Sequence, residues 1–336
     1  MGANRSPCAP LTQRTTLETT KMFKQKIAIA STALAMGLSL TLPAANAADK
    51  PLKAIGITVG SLGNPYFVTI VKGAEAKAKQ INPGVNVTAV SADYDMNKQF
   101  TQIDNFIAAH VDMILLNAAD PKAIEPAVKK AQAAGIVVVA VDVAAAGADA
   151  TVQTNNVQAG EISCDYIAKK LNGKGNVIIE NGPPVSAVVD RVKGCKSVFA
   201  KHPELKVLSD DQDAKGSREG GMNAMQGYLT RFPKVDAVFA INDPQAVGSD
   251  LAAKQLNRKN LFITSVDGAP DIETALKTDT LVQASASQDP WSMAQTAVTV
   301  GYGLMNGKKP ANTMILLPST LVTRDNVNSY KGWSSH

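Results

Sequence analysis

The chain has 336 residues, 45% hydrophobic and 19% charged, with 34 Lys and Arg against 29 Asp and Glu for a formal net charge of +5. This is a globular profile; at roughly 150 residues per domain it predicts two domains, and it excludes a small fold that depends on disulfides or a metal for its core. Taken at face value the basic balance points to nucleic acid or an anionic membrane, so the location of the charges decides the matter.

In chain order the first feature removes that reading. Lys21, Lys24 and Lys26 precede an uncharged apolar run from Ile27 to Leu42, followed by Pro43 and the small tripeptide Ala45, Asn46, Ala47. This is the pattern of a secretory signal peptide cleaved after Ala47. The run is shorter than the roughly 20 residues a membrane span needs. Ala48, not a cysteine, stands directly after the cleavage site, which argues against a lipid anchor, and Met22 competes with Met1 as the start. Loss of residues 1–47 removes Arg5, Arg14, Lys21, Lys24, Lys26 and Glu18, leaving 29 cations and 28 anions. The remaining chain, at about +1, has no basic cluster for nucleic acid. Cys164 and Cys195 lie in helical patterns of an exported chain, and both a disulfide and two buried thiols remain open.

From Lys53 onward, short apolar runs alternate with longer amphipathic segments. Strands are predicted at Ala54–Val59, Val85–Val90, Asp112–Leu116, Ile136–Val141, Asn176–Glu180, Leu205–Leu208, Ala237–Ile241, Leu261–Val266 and Leu281–Ser285. They are almost continuously apolar, as parallel strands covered on both faces are. The first intervening helix, Tyr66–Gln80, carries Phe67, Ile70, Val71, Ala74 and Ala78 at helical spacing behind Asn64 as cap and Pro65 in the first turn. Strand and helix alternating this often predict a doubly wound α/β fold.

Two stretches repeat one pattern. VDMILLNAADPKAIEPAVKKAQAAGIVVVAVD and VDAVFAINDPQAVGSDLAAKQLNRKNLFITSVDG each open Val-Asp, end a strand in Asn, follow with Asp-Pro, and end the next strand in Asp. Asn117 to Asp142 and Asn242 to Asp267 are both 25 positions apart. Ligands of open parallel sheets sit outside the carboxyl ends of the strands, where these four fall. Asn and Asp there also serve as helix caps, the expected role of Asp120 and Asp243. The same pair recurring at one spacing favours two lobes facing a shared cleft. Amides and carboxylates each hold vicinal hydroxyls, so the cleft suits a sugar or polyol.

Taken together, GSLGNPYF at 60–67, DYIAKK at 165–170, SAVVDRVKG at 186–194 and SVDG at 265–268 resemble the periplasmic substrate-binding proteins of ABC-type sugar importers, of the ribose-binding type. The resemblance covers essentially all of the chain after the leader. It implies two doubly wound parallel-sheet lobes joined by a three-stranded hinge, with crossings near Gln153 to Asn155, Gln288 to Asp289 and Leu316 to Pro318. The lobes implied are 48–153 plus 289–316 and 154–288 plus 317–336. It implies that Asn64, Asn117 and Asp142 hold hydroxyls from one lobe, with Tyr66 and Phe67 as an aromatic wall. Arg191, Asn242, Asp267 and Gln288 complete the cage.

Two positions depart from the family pattern. Val143 follows the first-lobe Asp where Arg is common, and AKGSR at 214–218 supplies no second aromatic wall, a place that Trp291 is a candidate to fill. The resemblance further implies a periplasmic monomer that closes on its ligand, needs no cofactor or metal, and serves a membrane permease or, alternatively, a chemoreceptor. A Rossmann enzyme is disfavoured because Gly60 and Gly63 do not make G-x-G-x-x-G; His110, His202 and His336 form no HExxH, and there is no G-x-S-x-G. A LacI-like regulator would carry a helix-turn-helix where the leader stands.

Overall fold

The computed structural model describes residues 49–333; the leader, its cleavage point and the choice of start lie outside them. The chain runs β1 (Ala54–Val59), α1 (Pro65–Ile81), β2 (Asn86–Ser91), α2 (Met96–Ala108), β3 (Met113–Leu116), α3 (Glu125–Ala133), β4 (Val137–Val141) and β5 (Ala150–Thr154). It continues through α4 (Asn156–Lys170), β6 (Lys174–Glu180), α5 (Ser186–Phe199), β7 (Glu204–Ser209), α6 (Arg218–Arg231), β8 (Ala237–Ala240) and α7 (Asp243–Gln255). Then come β9 (Phe262–Asp267), α8 (Pro270–Lys277), β10 (Val282–Ser287), α9 (Pro290–Met305), β11 (Met314–Leu317) and β12 (Thr320–Thr323).

The strands form two six-stranded sheets, ordered β11-β5-β4-β3-β1-β2 and β12-β10-β9-β8-β6-β7. Helices cover their faces, and β3, β4, β8 and β9 are buried along almost their whole length. That double cover is why these strands read as unbroken apolar runs, each Ile, Val or Leu side chain contributing roughly 1.5–3 kcal/mol on burial. The sheets are parallel except at one edge, where β12 runs antiparallel to β10. The chain passes between the sheets three times: from β5 into α4, from β10 into α9, and from β11 to β12 through Pro318 and Ser319. Helix α9 packs back on α1, β4 and β5 of the first sheet.

All nine predicted strands are present. Three others, β5, β11 and β12, carry weaker signals. β5 is ATVQT, buried throughout despite its polar residues, and β11 leaves Met314 and Leu316 half exposed at a sheet edge. The expected caps also differ. Asn242, not Asp243, caps α7 by accepting from Gln245 N at 3.0 Å. Asp120 accepts from the amides of Lys122 and Ala123 at 2.8 Å each, closing a turn, and α3 starts only at Glu125.

Helices α4 and α5 lie unusually close. A Cβ on Gly160 would collide with the backbone of Arg191, and one on Gly194 with the backbone of Val157. Cys164 and Cys195 form a disulfide between these two helices, with Cα atoms 5.1 Å apart. Of the two states left open by the sequence, the bridge is the one present. It fixes α5 one turn beyond Arg191, on the helix that carries that side chain toward the cleft.

Candidate functional site

Asn64, Tyr66, Phe67, Asn117, Asp142, Arg191, Asn242, Asp267 and Gln288 all line one cavity of about 40 Å³ between the carboxyl ends of the two sheets. Trp291 does not line it; its backbone packs on Gly73 of α1. The strand-end location follows from the topology: in both sheets the loops after the strands converge on the same side.

The polar groups form a continuous string from one sheet to the other. Asn117 Nδ2 donates to Asp142 Oδ2 at 2.8 Å, and the Tyr66 hydroxyl lies 2.9 Å from Asp142 Oδ1 and 3.1 Å from Gln288 Oε1. Gln288 Nε2 donates to Asp267 Oδ1 at 2.7 Å, which lies 3.6 Å from Arg191 NH1. Arg191 is itself anchored, Nε to Asn156 Oδ1 at 2.9 Å and NH1 to the Ile241 carbonyl at 2.8 Å. It is therefore a buried, aimed cation and not a solvated helix-face residue.

The two Asn of the repeat are held differently. Asn117 Oδ1 accepts from Gly60 N at 3.0 Å, tying β3 to the loop after β1. Asn242 caps α7 and donates Nδ2 to the Gly216 carbonyl at 3.0 Å. The two Asp share a backbone peculiarity: Asp142 has φ 68° and Asp267 φ 141°, both in territory that favours glycine. Such strain in non-glycine residues costs about 1–3 kcal/mol each and concentrates at functional sites.

Burial dominates the acid–base properties. It raises the Asp142 carboxyl, opposed by Arg191 and by hydrogen bonds from Tyr66 and Asn117. It pushes Asp267 up to about 6, against the pull of Arg191 and Gln288. Asp243, beside them, is raised well above the carboxylate range by burial and then by the charge of Asp267; its oxygens accept from the Ser265 and Ser285 hydroxyls and from Ala269 N. Arg191 is the one cation among the cavity's lining residues. Acceptors and fixed donors thus alternate around a small space, an arrangement for a neutral molecule rich in hydroxyls.

Apolar walls complete it. Tyr66 and Phe67 meet edge to face with ring centroids 5.5 Å apart, and Val143 from the first lobe and Pro183, Val185 and Val188 from the second also line the cavity. Two aromatic residues were not anticipated from sequence. Trp333 packs edge-on to Tyr66 at 5.5 Å and donates Nε1 to the Asp267 carbonyl at 3.0 Å, bracing both from behind. Tyr94, in the loop after β2, lines the cavity beside Phe67, with centroids 6.5 Å apart. Its position at a strand's carboxyl end was the signal available. A second cavity, of about 520 Å³, lies outside the first and is lined by Ser61, Lys215, Arg218, Pro244, Ala269 and Asp271 among others.

Similarity to known proteins agrees with this architecture. Residues 55–309 match the periplasmic binding protein domain. The chain is 33% identical over 273 residues to the ribose import binding protein RbsB of Bacillus subtilis, covering 80% of this chain and 87% of that one. It is 32% identical over 311 residues to a xylitol-binding protein of Mycolicibacterium smegmatis, covering 90% and 87%. An ABC transporter solute-binding protein of Bacillus halodurans, solved with bound myo-inositol, superposes with a TM-score of 0.76 at 27% identity, over 85% of this chain and 99% of that one. These relatives are binding proteins. No helix among the described residues is long and apolar enough to cross a membrane. The chain belongs to the periplasmic binding protein family, among the type I sugar-binding proteins of ABC importers.

Proposed function

We propose that this protein captures a single sugar or polyol in the periplasm, between lobes 48–153 plus 289–316 and 154–288 plus 317–336, and presents it to the permease of an ABC importer. The observation that carries the proposal is the string Asn117, Asp142, Tyr66, Gln288, Asp267, Arg191, whose members come from both sheets and from the crossing between them. In this reading, ligand hydroxyls take over the hydrogen bonds that these groups make to one another. Asn64 and Asn242 add amide contacts, and Tyr66 and Phe67 face the apolar C–H surface of the ring.

A ligand that bridges both lobes favours the closed arrangement by its differential affinity, with Thr154 to Asn156, Ser287 to Pro290 and Leu317 to Thr320 as the connecting segments that bend. The groups present bind and release; the reading assigns no catalysis. One chain supplies both jaws of the site, which suits a monomer, and a chemoreceptor would meet the same closed surface as the permease.

The direct test is a thermal-shift and calorimetric screen of the mature protein against pentoses, hexoses and polyols. A ligand at a hundred times its Kd adds about 2.7 kcal/mol of stability. Stabilisation by D-ribose, xylitol, myo-inositol or a related compound is expected. Silence toward all of these, with a response to amino acids or nucleosides, would overturn the assignment.

A further inference from the structure

The inner cavity and the outer cleft share three lining residues, Asn64, Tyr94 and Gly216. Of the three, only Tyr94 carries a ring large enough to separate the two spaces. Its placement is tightly specified. Asp93 and Tyr94 are consecutive non-glycine residues at positive φ, 52° and 57°, an uncommon backbone that turns the ring away from its own strand. The ring lies over Gly60, where an added Cβ would come within 2.7 Å of it. It meets Phe67 edge to face and packs against two apolar clusters that both include residues of the first lobe. Its hydroxyl end reaches the second lobe, 3.7 Å from where a side chain on Gly216 would begin. Gly216, at φ 62°, has no side chain to compete for the space and is held by Gln245 Oε1 on its amide and Asn242 Nδ2 on its carbonyl.

We propose that Tyr94 is the size-selecting partition of the site: its ring closes the inner cage against the outer cleft and restricts the ligand to one sugar ring or one short polyol. The inference rests on the sugar-binding reading above. The cage offers about 40 Å³ beyond the side chains that fill it, and the cleft about 520 Å³. Removal of the ring joins them. A ligand extended by a second unit then places its first unit in the cage and its second among Pro65, Pro244 and Ala269, whose apolar surfaces, with Lys215 and Arg218 nearby, suit a glycosidic partner. The phenol contributes chiefly by volume, so Tyr94→Phe keeps the partition.

The experiment compares the wild-type mature chain with Tyr94→Phe, Tyr94→Ala and Tyr94→Leu by calorimetry. The probes are D-ribose, D-allose, xylitol and myo-inositol, each paired with an extended form: the 4-nitrophenyl glycosides of the two sugars, xylobiitol and galactinol. Wild type and Tyr94→Phe are expected to bind a monomeric probe with affinities within about threefold of each other and to reject its extended partner. Tyr94→Ala should lose about tenfold or more for the monomer, because the cage opens to water in the cleft, and gain measurable binding of the extended form. Tyr94→Leu retains apolar packing on Phe67 and Gly60, and it should shift in the same direction, which preserves the test if the alanine variant is poorly folded. Folded Ala or Leu variants that exclude the extended probe, or hold the monomer as tightly as wild type, overturn the partition. Failure of wild type to bind any pentose, hexose or polyol of the screen described above, with a response to amino acids or nucleosides, overturns the sugar-binding reading instead.

Discussion

Gln288 Nε2 donates to Asp267 Oδ1 at 2.7 Å while its Oε1 lies 3.1 Å from the Tyr66 hydroxyl. One amide, placed where the chain crosses from β10 to α9, thus joins an acid at the end of β9 in the second sheet to a phenol on α1 of the first lobe. Gln288→Ala removes both contacts and leaves a buried carboxylate with one partner fewer. We expect affinity for the best sugar or polyol to fall by about 10- to 100-fold, the loss that goes with one or two buried hydrogen bonds to charged groups. Calorimetric titration of the variant measures this; an unchanged Kd would remove Gln288 from the site.

The paired acids make a sharper case. Asp142 and Asp267 are buried carboxyls that hold the site's donors, Asp142 the Asn117 amide and the Tyr66 hydroxyl, Asp267 the Gln288 amide, with Arg191 at 3.6 Å. Asp142→Ala and Asp267→Ala should each weaken binding by about 100-fold while the chain still unfolds cooperatively in urea, at a midpoint lowered by the donors left unpaired. Undiminished sugar titration in both variants would contradict the site.

How far the sequence showed these features depends on what each residue does locally. The strands were legible because two-sided burial leaves β3, β4, β8 and β9 almost purely apolar, whereas β5 buries Gln153 and Thr154 at a crossing and so lacks that signature. The Asn and Asp pairs were legible through their repetition at one spacing. Tyr94 was not, because nothing in a lone aromatic between two aspartates announces the positive φ that turns its ring into the cleft. Trp333 lies far along the chain from Tyr66 and Asp267, and only the tertiary fold brings the three together. Asp243 sits in a helix-opening Asp-Pro yet accepts from two serines of neighbouring strands, a role that capping patterns do not distinguish.

The Cys164–Cys195 bridge closes a loop of 31 positions. Chain-entropy arguments assign about 3–4 kcal/mol to a loop of that length. The paired Cys164→Ser, Cys195→Ser variant should lose about that much in urea unfolding, and reductant should bring the wild type to the same value. Since Cys195 lies one turn beyond Arg191 on α5, ligand affinity should also fall modestly, by less than in Asp267→Ala. Identical unfolding curves with and without reductant would show that the bridge contributes nothing.

Binding should depend on pH through Asp267, whose carboxyl is raised to about 6. Above that pH it offers a charged acceptor to ligand hydroxyls; below it a proton occupies one oxygen and the charge assistance is lost. Affinity is therefore expected to weaken as pH falls from 8 to 5, with the steepest change near 6. Asp267→Asn should bind weakly at every pH and show a flatter profile. A wild-type profile that is level across this range would separate Asp267 from the ligand.

Glu180, at the end of β6, is fully buried, its carboxyl held by the Ser249 hydroxyl at 2.6 Å and Gln245 Nε2 at 3.2 Å, and burial raises it to about 8. Folded protein therefore keeps this proton at a pH where the unfolded chain, titrating near the ordinary value of 4.5, has released it. The sign follows: the contribution is fully present below about 4.5 and is lost as pH rises toward 8, where folding no longer retains the extra proton. Asp142, Asp243 and Asp267 are raised as well and act in the same direction. Stability of the wild type should accordingly decline by a few kcal/mol from pH 5 to pH 8. Glu180→Gln, neutral at every pH and close in shape, should flatten that slope and gain stability relative to wild type at pH 8. Because Gln245 also accepts from Gly216 N at 2.9 Å, the substitution tests whether this buried acid steadies the loop that faces Tyr94. Urea unfolding of both proteins at pH 5, 6.5 and 8 measures the difference, and parallel curves would show that Glu180 does not titrate between the folded and unfolded states in this range.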